Sequence, residues 1–215
     1  MSGKIFIVGI GPGSREYLTL KAIETIKNCD YTVGSVRAVE LFEDVKNTIS
    51  FNVKDLLDKL NEGVDLAVKG NKVAILSTGD PGFSGVLNTV LRISNEKGFD
   101  EDNIEVIPGI SSLQLTAAKN HIQWDDANIM TFHGRENIED ILDVIDNGKT
   151  TIALPSRKVK DMAQFLIDNG VDETRRVTVC ERLSYPNENI VSTSLNDIAS
   201  SEFTYMCTIV IEKKN

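Results

Sequence analysis

The sequence predicts an α/β protein built from two α/β domains. Short apolar runs alternate with segments of helical periodicity almost from end to end, the pattern of strands joined by crossover helices. The 215 residues are 41% hydrophobic and 26% charged, enough to bury a sizeable core in one large or two small domains. From Phe203 onward a β-branched and aromatic run, FTYMCTIVIE, leads into no further helix, which suits a mixed sheet better than another βαβ unit. The seam is placed near Ile107-Pro108-Gly109-Ile110-Ser111-Ser112, giving expected domains at 1–111 and 112–215.

Strands are expected at 4–10, 30–33, 72–77, 103–107, 127–132, 150–154, 176–180 and 203–212. Three helices follow from apolar spacing: Leu56/Leu57/Leu60/Val64, Ile138/Ile141/Leu142/Ile145 and Val159/Met162/Ala163/Leu166. Asn169-Gly170 stops the last one with a left-handed residue. Thr19 and Asp55 are expected N-caps, and Ser111 or Ser112 is expected to cap a helix over 113–121.

Composition excludes several classes. A net charge of −9 argues against a broad nucleic-acid footprint, because neutralising phosphates needs a basic face. No apolar run approaches the roughly 20 residues of a membrane helix, and the first residues lead straight into a strand rather than a signal-peptide core, so a cytoplasmic protein is expected. Cys29, Cys180 and Cys207 are scattered, and neither histidine sits at a ligand spacing from a cysteine, so neither a disulfide framework nor a protein-bound metal is expected.

Three glycine-rich turns end predicted strands, those at 4–10, 72–77 and 103–107. In KIFIVGIGPGS the apolar run breaks at Gly9-Ile10-Gly11-Pro12-Gly13. A P-loop would need a following lysine, and Pro12 has no N–H for a phosphate. A dinucleotide fingerprint would need a third glycine, where Ser14 stands, and an acidic residue at the far end of the second strand. The second turn, STGDPGFSG, presents Asp80 at a strand end, either as a ligand contact or as a turn and capping residue. The third, VIPGISS, offers Ser111 and Ser112 at a helix start, for capping or for a ligand carboxylate. No lysine or arginine lies inside the three turns, so they suit something small and not strongly phosphorylated, and Asp80 tolerates a positive charge on it.

In this order and at these separations the turns resemble the tetrapyrrole methylases over essentially the whole chain. GxGPG is matched by residues 9–13, the GDP loop by Gly79-Asp80-Pro81-Gly82-Phe83, and PGxSS by Pro108-Gly109-Ile110-Ser111-Ser112. The resemblance implies S-adenosylmethionine as methyl donor, a cleft between the two domains, and a homodimer. It also implies cofactor contacts at Pro12, Gly79, Asp80, Phe83, Ser111, Ser112 and Leu154. Three further strings, HIQWDDA, TFHGR and CERLSYPNE, are similar to the branch that methylates C5 of a cobalt-precorrin in cobalamin biosynthesis. That implies a tetrapyrrole (cobalt-precorrin) substrate and a separate C15-methyltransferase/decarboxylase as pathway neighbour.

Within that reading His133 and Arg135 are the candidate catalytic residues, His133 as a base because its ordinary pKa lies near neutrality. Arg15, Arg37, Arg135, Arg157 and Lys158 are candidate anchors for the substrate's carboxylates. Each residue also has a plainer reading: His133 as a turn histidine, Arg135 as a surface cation, Glu181 paired with Arg182. Three other functions stay open from the sequence: another methylase of the same fold acting at a different position or on a different substrate, a nicotinamide-dependent oxidoreductase using Gly9 and Gly11, and a non-catalytic cofactor-binding module.

Overall fold

The computed structural model describes residues 3–42, 45, 47–134, 137–156 and 158–214, and divides into two units, Met1–Ser111 and Ser112–Asn215. In the first, the opening run forms β1 (Lys4–Gly9), followed by α1 (Leu20–Lys27), β2 (Tyr31–Ser35), α2 (Val36–Val39), β3 (Thr48–Phe51), α3 (Leu56–Val68), β4 (Lys72–Ser77), α4 (Leu87–Glu96) and β5 (Ile104–Ile107). The strands lie side by side in the order β3-β2-β4-β1-β5, every neighbour parallel. Alternation along β1 serves both faces: Ile5 and Ile7 pack with Leu60 and Val64 of α3 and Val90 and Ile93 of α4, while Val8 packs with Ala22 and Ile26 of α1. Near-continuous apolar runs result because both faces of a parallel sheet are covered.

The second unit runs α5 (Ser112–Lys119), β6 (Asn128–Thr131), β7 (Thr151–Leu154), α6 (Val159–Asp168), β8 (Arg176–Glu181), β9 (Asn189–Ser194), α7 (Leu195–Ala199) and β10 (Cys207–Ile211). Its sheet is mixed, in the order β6-β7-β10-β8-β9, with β10 antiparallel to both β7 and β8. Val177, Val179, Ile209 and Ile211 meet Met162 and Leu166 of α6 and Leu195 and Ile198 of α7 on one face. The other face carries α5, held by the buried hydroxyl pair Thr116–Thr208 and by the Asn120 amide, which donates to Cys180 Sγ at 3.3 Å. Burial, before any other influence, pushes the thiols of Cys180 and Cys207 up, the latter to about 12, so both behave as small apolar groups.

All eight expected strands are present, and the final run forms the expected mixed sheet. Two strands had no sequence counterpart, β3 and β9, and both are sheet edges. Edge strands bury little, so TISF and NIVSTS carry too weak an apolar signal. The expected helix over 138–145 is a correction: a 3-10 turn at Glu139–Ile141 is followed by irregular turns. Its apolar stripe is real, with Ile141 and Ile145 buried. Asn147 bonds its side chain to Asn128 and to the Lys149 N–H instead of continuing a helix. Thr19 caps α1 through Ala22 N at 3.1 Å, and Gly170 takes the left-handed stop at φ 85°. Asp55 precedes α3 without a side-chain cap, its carboxylate accepting from Asn52 N at 2.7 Å. Leu57 is exposed, so α3 buries a narrower stripe than its sequence promised.

Candidate functional site

In the first unit the three glycine-rich turns leave the carboxyl ends of β4, β1 and β5, three adjacent strands. The chain leaving β1 turns to α1 on one face, and the chain leaving β4 turns to α4 on the other. Such divergence between neighbouring strands is where open α/β sheets bind ligands. Here the diverging turns touch: Gly79 N donates to Gly11 O at 2.8 Å, forming an isolated antiparallel bridge.

The glycines are explained first by the turns packing on each other. A Cβ on Gly109 would lie 2.3 Å from Gly79 O, and one on Gly9 would lie 2.5 Å from Gly109 N. Any side chain at either position would push the turns apart. Asp80 fastens the same assembly. Its Oδ1 accepts from Gly82 N at 2.9 Å within its own turn, and its Oδ2 accepts from Gly109 N at 3.1 Å in the turn after β5. The bond to Gly82 is the turn role that the sequence offered as one of two readings; the partner 29 positions away could not be read from spacing.

Of the other residues expected to hold a donor, Pro12 is buried, Phe83 and Ser111 are half-buried, and Gly79 has φ 70°. Ser112 is the first residue of α5 rather than its cap, and Leu154 is the half-buried last residue of β7. Backbone, hydroxyls and one already engaged carboxylate make up these turns, and residues 9–14, 77–85 and 107–112 hold no lysine or arginine. Ser77 Oγ is buried at the end of β4 without a hydrogen-bond partner. That donor set fits a phosphate-free nucleoside carrying a cationic sulfonium and lacks what a pyrophosphate needs.

In the second unit β6, β7 and β8 are parallel to one another, so their carboxyl ends share one sheet edge. His133 lies there, exposed, its backbone N–H donating to Thr131 Oγ1 at 3.3 Å just beyond β6. Arg135 and Arg157 lie outside the described residues. Arg15, Arg37 and Lys158 are all exposed. The turn after β8, residues 182–188, is tied at both ends by carboxylates. Glu181 accepts from Thr204 N at 2.6 Å and Asn189 Nδ2 at 2.9 Å, and Glu188 from Ser184 N and Lys119 Nζ, both at 2.8 Å. Burial pushes the Glu181 carboxyl up, but these hydrogen bonds outweigh it and leave its pKa lowered; the Lys119 hydrogen bond leads in lowering that of Glu188. Glu181 is therefore a loop brace and not half of a pair with Arg182.

A groove of about 420 Å³ opens at the opposite edge of this sheet, beside Thr150, Arg176, Thr178 and Glu212. Its Arg176 and Glu212 pair with each other at 3.3 Å, and it lies away from His133. Among the described residues no cluster of three His, Cys, Asp or Glu side chains forms a metal site, and no helix is long and apolar enough to cross a membrane.

Turns of this composition on two α/β units define a class. Residues 4–199 match the model of the Tetrapyrrole (Corrin/Porphyrin) Methylases, and the chain belongs to that family. A relative from Methanocaldococcus jannaschii, a probable cobalt-precorrin-7 C(5)-methyltransferase, is 47% identical over 213 residues, 97% of each chain. Among solved structures, a cobalamin biosynthesis precorrin-6Y methylase from Archaeoglobus fulgidus is 25% identical, with a TM-score of 0.72 over 99% of this chain and 98% of the other. A uroporphyrin-III C-methyl transferase from Thermus thermophilus, complexed with S-adenyl homocysteine, is 21% identical, with a TM-score of 0.76 over 98% of this chain and 92% of the other.

Proposed function

We propose that the protein is an S-adenosylmethionine-dependent C-methyltransferase that methylates C5 of cobalt-precorrin-7 in cobalamin biosynthesis. The observation that carries this is the 47% identity, over 97% of both chains, to the M. jannaschii relative of that name. The phosphate-averse turns of the first unit support the donor.

S-adenosylmethionine supplies an electrophilic methyl group. The sulfur–methyl bond breaks as the new carbon–methyl bond forms, the electron pair returns to sulfur, and a proton later leaves the macrocycle. The protein's task is mainly positioning, holding the reacting atoms about 3–3.5 Å apart and in line. Pro12, Gly79, Asp80, Phe83 and Ser111 are assigned to the donor, Asp80 through the turns it fastens, with Ser112 and Leu154 as further contacts. His133 is assigned to accept the departing proton, and Arg135 to a substrate carboxylate. A homodimer in the cytoplasm, served by a separate C15-methyltransferase/decarboxylase, completes the reading; it calls for neither a resident metal nor a nucleic-acid or membrane partner.

The test is incubation of the purified protein with cobalt-precorrin-7 and methyl-labelled donor, with the labelled carbon located by NMR. Label at C5 is expected, and label at another carbon would make this a sister methylase. His133→Ala should lower turnover about 10²-fold or more while leaving donor binding in place; unchanged turnover would remove His133 from the mechanism.

A further inference from the structure

The turn after β8 combines features that the methyl-transfer reading has not used. Arg182, its first residue, has φ 47°, and Ser184 has φ 73°. Neither is glycine, and two left-handed non-glycine residues within three positions persist only where the surroundings hold them. The restraint comes from outside the turn: Arg182 N donates to Met206 O at 2.8 Å on the approach to β10, and the Glu188 carboxylate fixes Ser184 N from one side and Lys119 from the other.

Arg182 itself is left over from this bracing. It is half-buried, and among the described residues its guanidinium enters no ion pair. Glu181 lies close enough to feel its charge, yet each Glu181 oxygen already accepts from Thr204 N or Asn189. Two carboxylates thus build the turn without neutralising the cation at its head.

Position gives that cation a use. β6 and β8 are separated in the sheet by β7 and β10, three strand spacings or roughly 14 Å. Their turns, with His133 at one and Arg182 at the other, share one sheet edge, and that separation matches the reach of a tetrapyrrole with its acid arms. We propose that Arg182, presented by the strained and braced turn 182–188, binds a carboxylate arm of the substrate and so fixes which carbon of the macrocycle meets the methyl group. This rests on the proposed methyltransferase reading.

The experiment compares wild type with Arg182→Lys, Arg182→Ala and Arg182→Gly, measuring KM and kcat on cobalt-precorrin-7, the position of the added methyl, and S-adenosylhomocysteine affinity by calorimetry. Glycine removes the side chain while accepting the left-handed backbone, so its variant separates loss of the cation from loss of the fold. Alanine and glycine should both raise KM for the macrocycle by about tenfold or more, with lysine between them and the wild type, because a point charge replaces a bidentate fork. Donor affinity should stay within about twofold of wild type throughout. If wild type turns over but the glycine variant keeps its KM and methylates the same carbon, Arg182 is not a substrate contact and the inference falls alone. If all variants lose donor affinity in parallel with KM, the turn is structural and the inference falls. If wild type neither binds nor methylates cobalt-precorrin-7, the functional reading fails and takes the inference with it.

Discussion

Asp80 shows how much of the first unit rests on one side chain. Its oxygens receive N–H groups from Gly82 and Gly109 at 2.9 and 3.1 Å, each a charge-assisted hydrogen bond. In Asp80→Asn one oxygen becomes an amide that donates, so one of the two turns faces a donor with a donor. The variant should lose about 1.5–3 kcal/mol of stability and bind S-adenosylhomocysteine more weakly, read as a lower melting temperature and a calorimetric loss of affinity. Melting and binding equal to wild type would mean that Asp80 fastens nothing. Glycine, proline and aspartate in STGDPGFSG announced a special turn at residue level. That the turn is clasped to Gly109 depends on β4, β1 and β5 being neighbours, which only the sheet order reveals.

Among the elements, those with two covered faces were legible and those at the margins were not. β1, β4, β8 and β10 are buried along most of their length because helices or strands cover them, whereas β3 and β9 expose one edge and much of a face. The 138–145 stripe shows the opposite failure, an apolar period that buries Ile141 and Ile145 without an α-helical backbone. Glu188 makes a prediction at this scale, since it links α5 to the turn after β8 through Lys119 and Ser184. The Lys119 hydrogen bond holds its carboxyl below the ordinary range. A depressed folded pKa means the stabilisation is complete above the unfolded value of about 4.3 and disappears as pH falls through the folded value. Glu188→Gln should therefore melt below wild type at about pH 7, and the gap should close as pH falls through the lowered folded value and the wild-type carboxyl is protonated too. A gap that persists in acid would show that charge is not what Glu188 contributes.

At the scale of the molecule, alternating apolar and helical segments announced two α/β units, and the unhelped final run announced the mixed second sheet. That the ligand is not strongly phosphorylated followed from what the three turns lack, a lysine, an arginine and a proline-free amide array, while the sulfonium donor followed from their resemblance to the tetrapyrrole methylases. The substrate end was harder to read. Arg182 follows Glu181 and looks in sequence like half of a salt bridge, but among the described residues its guanidinium enters no ion pair, and that glutamate instead accepts from Thr204 and Asn189. The central claim is that the opening glycines serve a sulfonium nucleoside and not a dinucleotide. Calorimetric titration of the protein with S-adenosylhomocysteine, with NAD and NADP in parallel, tests it most directly. Saturable binding of S-adenosylhomocysteine alone is the predicted result, and saturable binding of a dinucleotide without it would contradict the account.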